Sequence, residues 1–129
     1  MKPRVLIVDD DDQIRRLVRR LLSDSGDFGE IYEAKDAAEG TFQARRIQPD
    51  VVVLDFNLPW MNGRTGARYL RRSIDVPIIG ISGCLTAGDD TSWADAFVPK
   101  SGLGALVPTV KQLVGKTAGS GSRVYSTYI

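Results

Sequence analysis

Short runs that are apolar at every position alternate along this chain with segments of helical period, and that alternation restricts the fold most. Val5-Leu6-Ile7-Val8, Val51-Val52-Val53-Leu54 and Val76 to Ile81 lack the in–out alternation of a half-solvated strand. Runs of this kind belong in a parallel sheet covered on both faces. Between them, Ile14, Leu17, Val18, Leu21 and Leu22 recur at the spacing of one helix face, with Arg15, Arg16, Arg19 and Arg20 on the other. That arginine group reads as a solvated face rather than a nucleic-acid patch.

A weaker strand spans Glu30 to Glu33 and a helix follows from Ala37 to Arg46. A third helix spans Thr65 to Arg72, and Ala96-Phe97-Val98 is a short fifth strand. Leu103, Leu106, Val107, Val110, Leu113 and Val114 outline a last amphipathic helix. Five strand–helix units in about 116 residues favour an α/β, open, doubly wound, five-stranded parallel sheet over a closed eight-stranded barrel. The fourth unit is irregular. From Ser82 to Asp95 there are two glycines and little helical period, so a full-length fourth helix is not expected. Residues 1–116 read as one domain and 117–129, rich in Gly, Ser and Thr, as a flexible tail.

In an open α/β sheet, ligands bind beyond the carboxyl ends of the strands. Strand one ends in Asp9-Asp10-Asp11-Asp12, strand three in Asp55-Phe56-Asn57-Leu58-Pro59, strand four in Ser82-Gly83 and strand five in Pro99-Lys100. Two carboxylates about 4 Å apart repel by ~4 kcal/mol at an effective dielectric near 20. Three at one sheet edge call for a cation or shifted protonation, and Mg2+, which keeps waters and shares phosphate oxygens, suits the cluster best. One of Asp11 and Asp12 reads as a helix cap, leaving Asp9 and Asp10 as the metal-side pair. Four aspartates also exclude the phosphate cradle of a flavin- or dinucleotide-binding loop, which needs glycine or hydroxyl residues there.

These strand ends resemble the receiver domain of two-component response regulators. The resemblance covers residues 4 to 116 and rests on Val8-Asp9-Asp10, on Leu54-Asp55 through Trp60-Met61-Asn62-Gly63, on Ile81-Ser82-Gly83 and on Phe97-Val98-Pro99-Lys100. It implies a flavodoxin-like (βα)5 fold with strand order 2-1-3-4-5. Asp55 would be the phosphoacceptor, and Mg2+ would be held by Asp9, Asp10, Asp55 and the Asn57 backbone carbonyl. Ser82 and Lys100 would bind the phosphoryl group, and Phe97 would be the aromatic switch. Asn57 and Cys84 stand where the family tunes dephosphorylation, although a passive thiol is the simpler reading of Cys84. The resemblance implies a sensor histidine kinase or histidine phosphotransfer protein as donor, and no enzyme activity beyond self-phosphorylation and dephosphorylation. The chain itself contains no histidine.

Two departures stand out. Receivers usually carry proline directly after the active lysine, whereas Ser101 follows Lys100 here and Pro99 precedes it, which disfavours a cis bond at that point. The stretch from Ser82 to Lys100 is also short for the family. These changes favour a rival reading, a receiver-like interaction module that works without phosphorylation; the complete acidic set with Ser82 and Lys100 disfavours it. A phosphohydrolase built on Asp55 would want a second aspartate two residues on, where Asn57 stands. A net charge of +1 gives no whole-chain reason to expect direct nucleic-acid or membrane partners, and one cysteine with no spanning-length apolar stretch suits the cytoplasm.

Overall fold

The computed structural model describes residues 2–59, 61–83 and 89–120. Trp60, Cys84 and the tail beyond Ser120 lie outside the described residues. The elements run β1 (Val5–Val8), α1 (Asp12–Ser25), β2 (Ile31–Ala34), α2 (Ala37–Ile47), β3 (Val51–Asp55), β4 (Asn57–Leu58), β5 (Met61–Asn62), α3 (Gly63–Ser73), β6 (Ile78–Ser82), β7 (Ala96–Pro99), a 3-10 segment (Lys100–Ala105) and α4 (Leu106–Ser120). The main sheet is parallel throughout in the order β2-β1-β3-β6-β7. With the two-residue β4–β5 hairpin set aside, this is the expected 2-1-3-4-5 order.

The sheet explains the uninterrupted apolar runs. Leu6, Val8, Val52, Leu54 and Ile78 face one core with Ala37, Ala44, Ala67 and Leu70 of α2 and α3. Val5, Ile7, Val51, Val53, Ile79 and Ile81 face the other core with Val18 and Leu22 of α1 and Leu106, Val110 and Leu113 of α4. Alternate side chains of one strand thus enter opposite cores, so every residue of β1 and every apolar residue of β3 is fully buried.

The caps follow from local chemistry. Asp11 is the N-cap of α1, its carboxylate accepting from the Gln13 and Ile14 N–H groups at 2.9 and 3.3 Å. Gly26 closes the same helix at φ 74°, a left-handed turn that glycine enters without a Cβ clash. Leu17, expected on the apolar face of α1, is 44% exposed: the buried stripe is carried by Val18 and Leu22, with Ile14 and Leu21 at its margins. The arginine face of α1 is divided. Arg16 and Arg20 are solvated, while Arg15 and Arg19 are ion-paired to Glu33 of β2.

Between β6 and β7, described residues 89–95 form turns and no helix. Trp93 fills the space a crossover helix would cover. Its indole packs so close to α3 and β6 that a Cβ at Gly63 or Gly80 would come within 2.8 and 2.7 Å of it. Asp95, also buried, accepts from the Ile78 N–H at 2.8 Å and from Arg71 at 3.1 Å, which pins the entry to β7. No peptide bond among the described residues is cis. Lys100 opens the 3-10 segment, and α4 continues to Ser120, past Lys116.

Candidate functional site

Strand register brings the acids together. β1 and β3 pair Val5 with Val51 through Val8 with Leu54, so one further step sets Asp9 beside Asp55. Both acids continue the side-chain alternation of Val5, Ile7, Val51 and Val53. Both are buried, Asp9 completely and Asp55 to 3% exposure. Their neighbours anchor them: Asp9 Oδ1 accepts from the Asp11 N–H at 2.8 Å, and Asp55 Oδ1 from the Asn57 N–H at 3.3 Å. Asp10 is exposed, yet one carboxylate oxygen from each of Asp9, Asp10 and Asp55 lies within 4.8 Å of the others.

Lys100 reaches this cluster from the end of β7. Its Nζ stands 3.0 Å from Asp9 Oδ2 and 3.3 Å from Asp55 Oδ1. Ser82 ends β6 beside Pro99 and is 2% exposed. Gly83 lies beside Lys100: a Cβ there would sit 3.7 Å from the lysine Cδ, in ordinary contact. Phe97 is half-buried on β7, its ring edge 3.3 Å from where a Gly80 Cβ would be. Asn57 is exposed at the rim.

The electrostatics are those of a site short of positive charge. Burial, with the neighbouring Asp9 charge added, pushes the Asp55 carboxyl up to about 6 despite the attraction of Lys100. Burial works against the Lys100 ammonium, but its bond to Asp9 and the Asp55 charge prevail and hold its pKa above the ordinary value. Asp9 Oδ2 is fully buried and takes no well-aligned hydrogen bond; the lysine ion pair is its only cationic contact among the described residues. Three converging carboxylates, an all-oxygen donor set and that under-satisfied buried oxygen fit a small hard cation.

Two contributors escaped the sequence reading. Arg15 donates from a guanidinium nitrogen to the Asp9 carbonyl at 2.7 Å while pairing with Glu33 and Asp12, so it braces the loop that carries the acids. Its position one turn into α1 was the available signal. Trp93 stacks at 5.7 Å, tilted 35°, on Phe56, the residue after Asp55; lying in a segment without periodicity, it gave no signal.

Comparison with known proteins adds the following. The family model described as the response regulator receiver domain matches residues 5–97. A protein-glutamate methylesterase/protein-glutamine glutaminase of Caldanaerobacter subterraneus is 36% identical over 118 residues, covering 87% of this chain and 32% of that protein. The chain thus spans about a third or less of the length of the curated relatives it matches. Among solved structures, the signal receiver domain of NarL from Mycobacterium tuberculosis is 28% identical with a TM-score of 0.75, covering 88% of this chain and 97% of that one. A signal receiver domain from Vibrio parahaemolyticus, at 19% identity and a TM-score of 0.83, covers 94% and 96% and shows the shared fold.

Proposed function

The chain belongs to the response regulator receiver domain family of two-component systems, and on that footing we propose that it is a phosphorylation-controlled switch whose phosphoacceptor is Asp55. The observation that carries this reading is the convergence of Asp9, Asp55 and Lys100 from three strand ends, with Lys100 Nζ within 3.3 Å of both acids.

Asp55 is the nucleophile. One of its carboxylate oxygens attacks the phosphorus of a phosphohistidine on a sensor kinase or histidine phosphotransfer protein. The new P–O bond forms as the P–N bond breaks, and the imidazole leaves with the electron pair, giving an acyl phosphate. Such transfer needs alignment and charge neutralisation more than covalent help. Lys100 supplies a fixed cation beside the reacting oxygen, and the Ser82 hydroxyl donates to a phosphoryl oxygen. Gly83 leaves room for the group and for the water that later removes it. Asp9, Asp10, Asp55 and the Asn57 carbonyl would hold Mg2+, which when bound would further neutralise the phosphoryl oxygens. The burial that raises the Asp55 pKa also strengthens it as a nucleophile, and at neutral pH it is still mostly ionised. Once the dianion is in place, Ser82 moves toward it and Phe97 turns into the space released, which changes the surface around β7. Asn57 at the rim tunes the lifetime of the acyl phosphate. The chain acts on no substrate other than its own aspartate and works in the cytoplasm.

The test is incubation with Mg2+ and acetyl phosphate followed by intact-mass measurement. A gain of one HPO3, about 80 Da, that disappears in Asp55→Asn supports the switch. An unmodified mass with every donor, histidine phosphotransfer proteins included, would leave a phosphorylation-independent interaction module. Turnover of unrelated phosphomonoesters would point to a hydrolase.

A further inference from the structure

Helix α3 carries a stripe of positive charge that the phosphoacceptor chemistry does not use. Arg64, Arg68, Arg71 and Arg72 line a groove of about 350 Å³ whose other wall is Ser92 and Trp93. Spacings of three and four residues put these arginines on one side of the helix, where like charges repel unless an anion sits among them. Two of these arginines are already matched: Arg64 pairs with Asp90 at 3.2 Å and Arg71 with the buried Asp95 at 3.1 Å. Arg68 and Arg72 are exposed and form no ion pair among the described residues; Arg72 only stacks over Tyr69 at 5.1 Å. Along this side of α3, described residues 89–95 form turns rather than a helix, and Trp93 packs against Gly63 and Gly80.

We propose that this groove is a docking site for an acidic segment of a partner protein, whose carboxylates pair with Arg68 and Arg72. Charge complementarity selects the occupant: Arg68 and Arg72 are exposed on the groove, while Arg64 and Arg71 already have an aspartate each. Two exposed arginines and a net charge of +1 suit a short acidic segment better than the long phosphate backbone of a nucleic acid, which binds through many neutralised phosphates. The groove's wall also touches the phosphoacceptor region, because Trp93 stacks on Phe56 and the first residue of α3, Gly63, donates to the Phe56 carbonyl at 2.6 Å.

The experiment is fluorescence anisotropy of the full chain against a fluorescein-labelled peptide of repeated Glu-Glu-Leu, at low salt and at about 0.15 M. Saturable binding is expected. Arg68→Gln/Arg72→Gln should weaken it at least tenfold, Arg68→Lys/Arg72→Lys should retain most of it, and Arg16→Gln/Arg20→Gln, which removes two solvated arginines of α1, should leave it unchanged. Circular dichroism on each variant checks that the fold is intact. Three results would each overturn the proposal: no saturable binding, equal weakening by the α1 and α3 variants, or tighter binding of a single-stranded oligonucleotide of matched charge. Because no phosphodonor is present, the outcome does not depend on Asp55.

Discussion

Replacing Asp55 by asparagine should stabilise the metal-free protein, and by an amount that grows with pH. The acid is 3% exposed, and its pKa rises from 3.8 to about 6 chiefly through burial and then through Asp9. The folded-state value lies above the unfolded one. Between the two, the folded chain keeps a proton that the unfolded chain has released, so stability falls as pH rises through that window. Above it the full penalty applies, about 3 kcal/mol for a shift of this size. The pull of Lys100 is already included in the net shift. Asparagine has the same shape and no charge, so the penalty goes with the carboxylate. Urea unfolding in EDTA should show Asp55→Asn more stable than the parent by ~1–3 kcal/mol near pH 8, with the gap closing toward zero below pH ~4. A substantial share of a typical domain's 5–15 kcal/mol is at stake, so the effect is measurable. Equal stability at pH 8, or a gap that does not change with pH, would refute the reasoning that the acids are held together against their own charge.

Three further outcomes follow from the same geometry. Millimolar Mg2+ should raise the melting temperature, by ~1.4 kcal/mol of stability at tenfold over Kd, and Asp9→Asn should abolish the gain; an equal gain in the variant would place the ion elsewhere. Lys100→Met leaves Asp9 and Asp55 without their cation, so near pH 8 it should cost on the order of 3 kcal/mol, a loss that shrinks in acid as Asp55 protonates. Gly80→Ala drives a methyl to 2.7 Å from the Trp93 ring and should cost ~1–3 kcal/mol in urea, whereas no loss would mean that Trp93 moves freely.

Much of the site was legible because its chemistry lies at strand ends. A run that is apolar throughout marks a buried strand from local pattern alone, and the first polar residue after it marks the ligand-binding edge. Asp9, Asp55, Ser82 and Lys100 were each found in that way. That one of Asp11 and Asp12 caps α1 was equally local, but that it is Asp11 came from the structure. Trp93 was not legible. Whether a tryptophan in an aperiodic stretch packs inward depends on two glycines distant in the chain, Gly63 and Gly80, that leave space for it. Leu17 fitted the helical stripe on spacing, yet it is 44% exposed and outside the core that α1 shares with α4.

The division follows the range of the forces involved. Backbone propensity, side-chain period and capping act within a few residues, so the order of elements, the all-apolar strands and the acidic strand ends were determined by the sequence alone. The meeting of residues 9, 55 and 100 at about 3 Å depends on strand order and register, and the arginine groove depends on Ser92 and Trp93 packing along α3. Those are agreements between distant segments to bury the same surface, and only the tertiary structure decides them.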